Sequence, residues 1–179
     1  MVQKKLAILR RAKPYVTSAV LKTMYNAFIL PHFDYCSQIW SDKYQMHNDK
    51  LIKLQKYAAR LILSQGFDIP SRELFKKLGW LPLHDRFYYL KAVFMYKCIH
   101  DLAPTYLASN VIKASDVHQY GTRGANNLII PKYKTECYKQ SPIINCTRIL
   151  NTLSTEIRSA PSLSYFKTLL KTNLLASEI

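Results

Sequence analysis

The amino-acid sequence predicts a mainly α-helical protein, with a helical bundle over about 1–108 and a looser segment over 109–179. Three observations favour this fold class. Apolar residues recur at helical spacing through most of the chain, glycines number only 4 in 179 residues, and the helical period is lost between Ser109 and Asn145. About half of the residues (49%) are apolar, enough to build a core.

The first predicted helix of the bundle follows Pro14, which interrupts a basic N-terminal segment. Thr17 or Ser18 can cap this helix, which runs to about Leu30. Pro31 comes next, and it either kinks this helix or begins the following one.

The segment from Asn48 to Gln65 has the clearest helical pattern. Asn48 or Asp49 can cap it and Gly66 can end it. Leucine, isoleucine and alanine side chains fall on one stripe, and cations fall on the opposite face. The cationic face consists of Lys53, Lys56 and Arg60.

Two further helices complete the predicted bundle. A short one after Pro70 is predicted to be capped by Ser71 and closed by Gly79. A longer one spans about Leu83 to His100 and ends before Pro104. Its wide apolar arc is typical of a core helix.

The looser segment contains turn residues and β-branched residues. It is predicted to hold a short β or extended patch, with strands around Leu128–Ile130 and Thr135–Tyr138. Two closing helices follow, one near Thr147 and one that Ser162 caps and that ends near Leu175.

Positive charge is the strongest feature of the composition. The 26 Lys and Arg residues exceed the 11 Asp and Glu residues, so the net charge is +15, with +8 in 1–60, +2 in 61–120 and +5 in 121–179. A positive field of this size favours polyanionic partners, with nucleic acid first and an anionic membrane surface second. The alternative is a basic surface that serves only solubility.

The motifs of several enzyme classes are missing from the sequence. It has no Asp-Asp pair for metal-assisted phosphoryl transfer, no G-x-S-x-G elbow and no phosphate-binding glycine loop. The four cysteines form no C-x-x-C pair, so we expect no zinc site. Since the chain is mostly helical and has no secretion signal, we expect its cysteines to be free and mainly buried thiols. We expect no cofactor. We also expect no signal peptide and no membrane span, and therefore an intracellular protein, nuclear or cytoplasmic.

One stretch, "LPHFDYCSQIW", raises the possibility of a catalytic site. His32 and Cys36 would share a face on a continuous helix, whereas Asp34 would lie off that face. Nothing in the sequence lowers the pKa of the thiol as catalysis requires. We therefore favour a packed junction in which Tyr35, Ile39 and Trp40 point inward. Asp34 is expected to make a capping or turn hydrogen bond.

The candidate phosphate-binding residues come from three places: the basic N-terminal segment, the cationic helix face and the turn "YGTRGAN". Lysine and arginine on exposed faces are the residue types that contact a nucleic-acid backbone. An arginine between two glycines suits either a phosphate contact or a plain surface turn. The candidates are Lys4, Lys5, Arg10, Arg11, Lys13, Lys53, Lys56, Arg60 and Arg123.

Several blocks occur in an order that resembles one protein family. They are "LKTMYNAFILPHFDYCSQIW", "KLQKYAARLIL", "ELFKKLGWLPLHDRFYYLKAVFMYKCIHDLAPTYL", "TR" at Thr122–Arg123 and "SLSYFKTLLK". The resemblance is to the C-terminal, thumb and post-thumb region of reverse transcriptases from non-LTR retrotransposons of the LINE type, jockey-like. It also rests on single residues, among them Tyr25, Asp34, Trp80 and Arg86.

The chain departs from the family pattern in two respects. The Trp-Asn-x-Leu-Pro block expected before the last helix is "ILNTLST" here, with Leu150 in the Trp place and Ser154 in the Pro place. The fingers and the palm, with its catalytic aspartates, do not occur in the sequence. The resemblance therefore implies a part of an RNA-directed DNA polymerase that is no enzyme on its own.

What the resemblance implies about function agrees with the charge. A thumb grips the template–primer duplex, RNA or DNA, through its backbone, so we expect sequence-independent, non-catalytic nucleic-acid binding. The missing palm is a further expected partner. The alternatives are a structural or protein-interaction module, an independent enzyme centred on His32 and Cys36, and a decayed transposon remnant with no selected function.

Overall fold

The computed structural model describes residues 1–41, 45–117 and 127–177. It is mainly helical, which confirms the predicted fold class. Within these ranges no segment forms a strand, and an isolated antiparallel bridge joins Lys113 to Leu128. None of the helices described has both the length and the apolar character needed to cross a membrane.

The helices follow one another along the chain with short connections. They are α1 Val2–Ala12, α2 Ser18–Phe28, α3 Leu30–Asp34, α4 Ser37–Trp40, α5 Gln45–Leu63, α6 Ser71–Leu78, α7 Leu83–Ile99, α8 Thr105–Ala108, α9 Ala114–Val117, α10 Glu136–Lys139, α11 Pro142–Thr152, α12 Thr155–Arg158 and α13 Leu163–Ser177, with a 3-10 turn at Lys13–Tyr15.

The chain divides into two compact units. The first consists of Met1–Ser37 with Tyr44–Phe87, and the second of Gln38–Lys43 with Tyr88–Ile179. Helix α7 has residues in both units. The sequence-based division into 1–108 and 109–179 stays a prediction about domains.

The core of the first unit is built around α2. The Thr17 hydroxyl accepts a hydrogen bond from the Val20 N–H at 3.4 Å, as the capping prediction requires. Pro31 lies in the first turn of α3, where its missing N–H costs nothing. Helix α2 contacts α1, α3 and α5. The buried side chains of α1, α2 and α3 are Leu6, Leu9, Leu21, Tyr25 and Phe33, and Ile29, between α2 and α3, is also buried.

The ends of α5 differ from the prediction. The helix begins at Gln45, before Asn48 and Asp49, so neither residue caps it. It ends because Ser64 adopts the left-handed conformation (φ 55°), after which the Gln65 N–H reaches back to the Arg60 carbonyl at 3.1 Å. Gly66 therefore does not end this helix.

Helix α6 confirms one predicted end and corrects the other. Gly79 closes it in the left-handed conformation (φ 64°), which glycine adopts without strain. Pro70 takes the cap position instead of Ser71, which is the first helical residue.

Helix α7 ends at Ile99, five residues before the proline expected to end it. Asp101 takes the left-handed conformation (φ 53°), and the Leu102 N–H donates to the Lys97 carbonyl at 2.9 Å. Pro104 instead precedes α8. Within the predicted apolar row, Leu83, Phe87 and Cys98 are buried, whereas Leu90 and Phe94 are half-buried.

The second unit corrects the predicted strands. Residues Thr135–Tyr138 hold the start of α10, because the Thr135 hydroxyl accepts the Tyr138 N–H and so favours a helical turn. Leu128 forms an isolated bridge to Lys113 instead of a strand. Its N–H donates to Asn151 Oδ1, and its carbonyl accepts from Asn151 Nδ2, both at 2.9 Å. An amide side chain thus takes the place of a neighbouring strand.

The departure from the family pattern at "ILNTLST" is accommodated by packing. Leu150 and Leu153 are buried in the core of the second unit, together with Phe166 and Leu170 of α13. The Ser154 hydroxyl accepts the Ile157 N–H and caps α12. Ser162 caps the last helix as predicted, by accepting the Tyr165 N–H at 3.2 Å.

Candidate nucleic-acid interface

The N-terminal cations lie on α1 and the turn that follows it. Helix α1 buries Leu6 and Leu9, three residues apart. Lys4 and Arg11, seven residues apart, fall on the opposite, solvent-facing side. Of the other predicted residues, Arg10 is exposed, Lys5 and Lys13 are half-buried, and Lys5 Nζ donates to His32 Nε2.

The cations of α5 are not equivalent. Lys53 is exposed and Lys56 is half-buried. Arg60 holds the loop after the helix: its Nε donates to the Gly66 carbonyl at 3.1 Å and its Nη2 to the Ile69 carbonyl at 3.3 Å. Its guanidinium also lies over the Phe67 ring, 5.0 Å from the ring centre. Arg60 therefore has a structural role that the sequence pattern did not indicate.

Four further exposed cations lie on α5 and α6, and the sequence analysis missed them. Lys50 is exposed and lies three residues before Lys53 on the same face of α5. Arg72, Lys76 and Lys77 are exposed on α6, opposite its buried Leu74, Phe75 and Leu78. The helical spacing of "SRELFKKL" would have revealed them by the argument already used for α5.

The helices that carry these cations pack within one unit. Helix α5 contacts both α1 and α6. We call Lys50, Lys53, Arg72, Lys76 and Lys77 the α5–α6 cations. Asp49 and Glu73 are exposed on the same two helices and reduce the local charge. Arg123 lies outside the described residues.

The cluster His32, Asp34 and Cys36 does not form the arrangement that a catalytic site needs. Helix α3 ends at Asp34, and Cys36 takes a left-handed conformation (φ 51°), so His32 and Cys36 share no continuous helix. Asp34 forms an ion pair with Arg86, Oδ1 to Nε and Oδ2 to Nη2, each 2.6 Å. This pair replaces the capping or turn bond that we expected.

The same stretch corrects the predicted packing. Tyr35 and Ile39 were expected to point inward, but their side chains are 77% and 52% exposed. Trp40 is half-buried, and Cys36 is exposed. The reason is the left-handed conformation of Cys36 after the end of α3, which interrupts the single helical row on which the expectation depended.

Four residues on which the resemblance rests meet in the first unit. The rings of Tyr25 and Trp80 stack at 4.1 Å, and Asp34 pairs with Arg86. The Tyr25 hydroxyl is buried without a hydrogen-bond partner among the described residues. Burial raises the pKa of Tyr25 well above its usual value, while Arg86 lowers it and Asp34 raises it. These residues therefore build the unit rather than a ligand site.

Replacement of Tyr25 by phenylalanine is expected to raise the free energy of unfolding by about 1 kcal/mol at neutral pH, because an unbonded buried hydroxyl is costly. The advantage of the variant should grow above about pH 10, where Tyr25 ionises in the unfolded chain but stays protonated when folded. In that range the unfolded state binds fewer protons, so the stability of the parent protein falls as pH rises.

Urea unfolding at neutral pH and at alkaline pH measures both effects. Tyr15→Phe, at an exposed side chain, is the matched control and should change the free energy by no more than about 0.5 kcal/mol. A Tyr25→Phe variant that loses stability at both pH values would contradict this prediction.

The described residues contain no group of three or more side chains placed to hold a metal ion. None of the four cysteines forms a disulfide: Cys98 and Cys146 are buried, whereas Cys36 and Cys137 are exposed. The expectation of mainly buried thiols holds for two of the four. Burial raises the pKa of the Cys98 thiol, which favours its protonated, unreactive form.

Comparison of the chain with protein-family models, with curated proteins and with solved structures found no match in any of the three.

Proposed function

We propose that this protein binds nucleic acid through the phosphate backbone, without sequence preference and without catalysis. The observation that carries the proposal is the set of exposed lysines and arginines on the solvent-facing sides of α1, α5 and α6. The sequence resemblance adds the expected setting, a thumb and post-thumb region of a retrotransposon reverse transcriptase that grips a template–primer duplex.

The charge of the first unit supports the proposal. This unit has 14 basic and 5 acidic residues, a net charge of +9. One of its carboxylates, Asp34, is already paired with Arg86. The positive electrostatic potential of the exposed cations is therefore largely uncompensated and can attract an external polyanion.

The kind of side chain supports binding without sequence preference. Exposed lysines on helix surfaces are flexible point charges, which suit phosphates better than the edges of bases. The rings of Tyr25 and Trp80 stack on each other in the core of the first unit, so these two rings are not available to stack on bases.

A salt titration tests the proposal. The affinity for a labelled RNA–DNA duplex, measured by fluorescence anisotropy, is expected to fall with salt at a log–log slope of about −0.9 per phosphate contact. Three to five contacts correspond to a slope of about −3 to −4.5. Duplexes of unrelated sequence should bind with similar affinity. A flat salt response, or no binding at low salt, would overturn the proposal.

A protein-interaction module is the second candidate. Large apolar side chains of the first unit lie open to solvent, notably Ile8, Phe28 and Tyr35. On this alternative the helices dock to a polymerase palm or another protein, and replacing Phe28 and Tyr35 by serine would abolish that docking. The same double variant should leave nucleic-acid binding unchanged if the first proposal is correct.

A further inference from the structure

A pocket of about 490 Å³ opens in the second unit. Its size falls in the range typical of small-molecule sites. Its walls combine apolar side chains with a few charged ones. The apolar side chains are Tyr96, Ile99, Leu128 and Leu150, and the charged or titratable ones are His100, Lys113, Glu156 and Arg158.

Specific bonds hold the apolar wall in place. The Tyr96 hydroxyl donates to the Ala160 carbonyl at 2.7 Å, and its ring stacks on Phe166 at 4.3 Å. Leu128 is fixed by its two bonds to the Asn151 side chain. The pocket is therefore formed before any ligand arrives, which lowers the entropic cost of binding.

The charged side of the pocket has unused binding capacity. The side chains of Lys113 and Glu156 are exposed and have no hydrogen-bond or ion-pair partner in the described part of the chain. Arg158 donates through Nη1 to Asn127 Oδ1 at 2.7 Å, while its Nε is buried without a partner. An unsatisfied donor of this kind calls for an explanation such as a bound ligand or water.

The balance of charge selects the ligand class. Lys113 and Arg158 supply two cations against the single carboxylate of Glu156, and the imidazole of His100 stacks on Tyr96 at 4.1 Å. We propose that this pocket binds a small amphipathic anion, with its apolar body against Tyr96, Leu128 and Leu150 and its anionic group near Lys113 and Arg158. The residues of this site are not among the candidate nucleic-acid-binding residues.

Three naphthalene derivatives test this proposal with the full chain: 1-naphthyl phosphate, 1-naphthoate and the neutral 1-naphthalenemethanol. Titrations followed by amide NMR should show saturable binding of an anionic probe at one site, with shifts at Lys113, Leu128 and Arg158. The neutral probe should bind at least about tenfold more weakly, because one good ionic contact is worth about a factor of ten. If 1-naphthyl phosphate binds more tightly than 1-naphthoate, the site prefers a phosphate ligand, and the reverse order indicates a carboxylate ligand.

Two pairs of variants make the result decisive. Lys113→Gln should weaken the anionic probe about tenfold and leave the neutral one unchanged, whereas Lys132→Gln, at another exposed lysine, should change neither. Ser159→Trp should fill the pocket and block every probe, while Ser164→Trp, outside the lining, should not. The proposal would be overturned if the charged and neutral probes bound equally well, or if Lys113→Gln left the affinity for the anionic probe unchanged. It would also be overturned if no probe saturated the protein up to about 5 mM.

Discussion

Replacement of Lys53, Lys76 and Lys77 by alanine is expected to weaken duplex binding more than any other change of similar size. Near 0.1 M salt, each lost phosphate contact costs about eightfold in affinity, so three contacts correspond to a loss of up to about 500-fold. The log–log salt slope should also become less negative by up to about 2.7.

These three lysines are chosen because their side chains are exposed and none has a hydrogen bond or ion pair to another described residue. Arg60 is excluded because it donates hydrogen bonds to the Gly66 and Ile69 carbonyls. An Arg60→Ala change would remove these hydrogen bonds to the loop, so a weaker duplex binding could result from the lost charge or from the lost structure.

The matched control is the triple variant Lys132→Ala, Lys134→Ala and Lys171→Ala. It removes the same charge from exposed positions in the second unit. Binding measured by anisotropy should fall much less in this variant, and circular dichroism should show both triple variants folded. Equal losses in the two would mean that net charge alone, and no particular surface, accounts for binding.

Gln55→Leu is expected to have the largest effect on stability, a loss of about 2–4 kcal/mol in the free energy of unfolding. The Gln55 side chain is 1% exposed. Its Nε2 donates to the Leu81 carbonyl and its Oε1 accepts the Leu83 N–H, both at 2.9 Å. Leucine fills similar space but leaves two buried backbone groups without partners, each worth about 1–3 kcal/mol.

Urea unfolding followed by circular dichroism measures this loss as a shift in the midpoint. Gln3→Leu makes the same chemical change on an exposed face of α1 and should alter the free energy by no more than about 0.5 kcal/mol. If the free energy of unfolding of the Gln55→Leu variant lies within 1 kcal/mol of that of the parent protein, the two hydrogen bonds of Gln55 contribute little to stability and the prediction is wrong.

The sequence analysis located six of the seven described helices that have eight or more residues, because helix formation depends on local patterns, and it missed α1. Apolar spacing marks the buried side of each helix, as Leu74, Phe75 and Leu78 do for α6. Thr17, Gly79 and Ser162 end or begin helices through bonds or backbone conformations that reach only a few residues. The errors at Ser64 and Asp101 arose because ordinary residues adopted the left-handed conformation usually marked by glycine.

The sequence by itself determined the helical class, the positive charge and the face of α5 on which Lys53 lies, because all of these depend on composition and on residues three to seven positions apart. Only the tertiary structure decided the partners of Asp34 and Gln55, since Arg86 and the Leu81–Leu83 backbone are 26 to 52 residues away. It also decided that Arg60 holds a loop and that the second unit contains a pocket. Contacts between distant residues depend on how helices pack, and no local spacing specifies that.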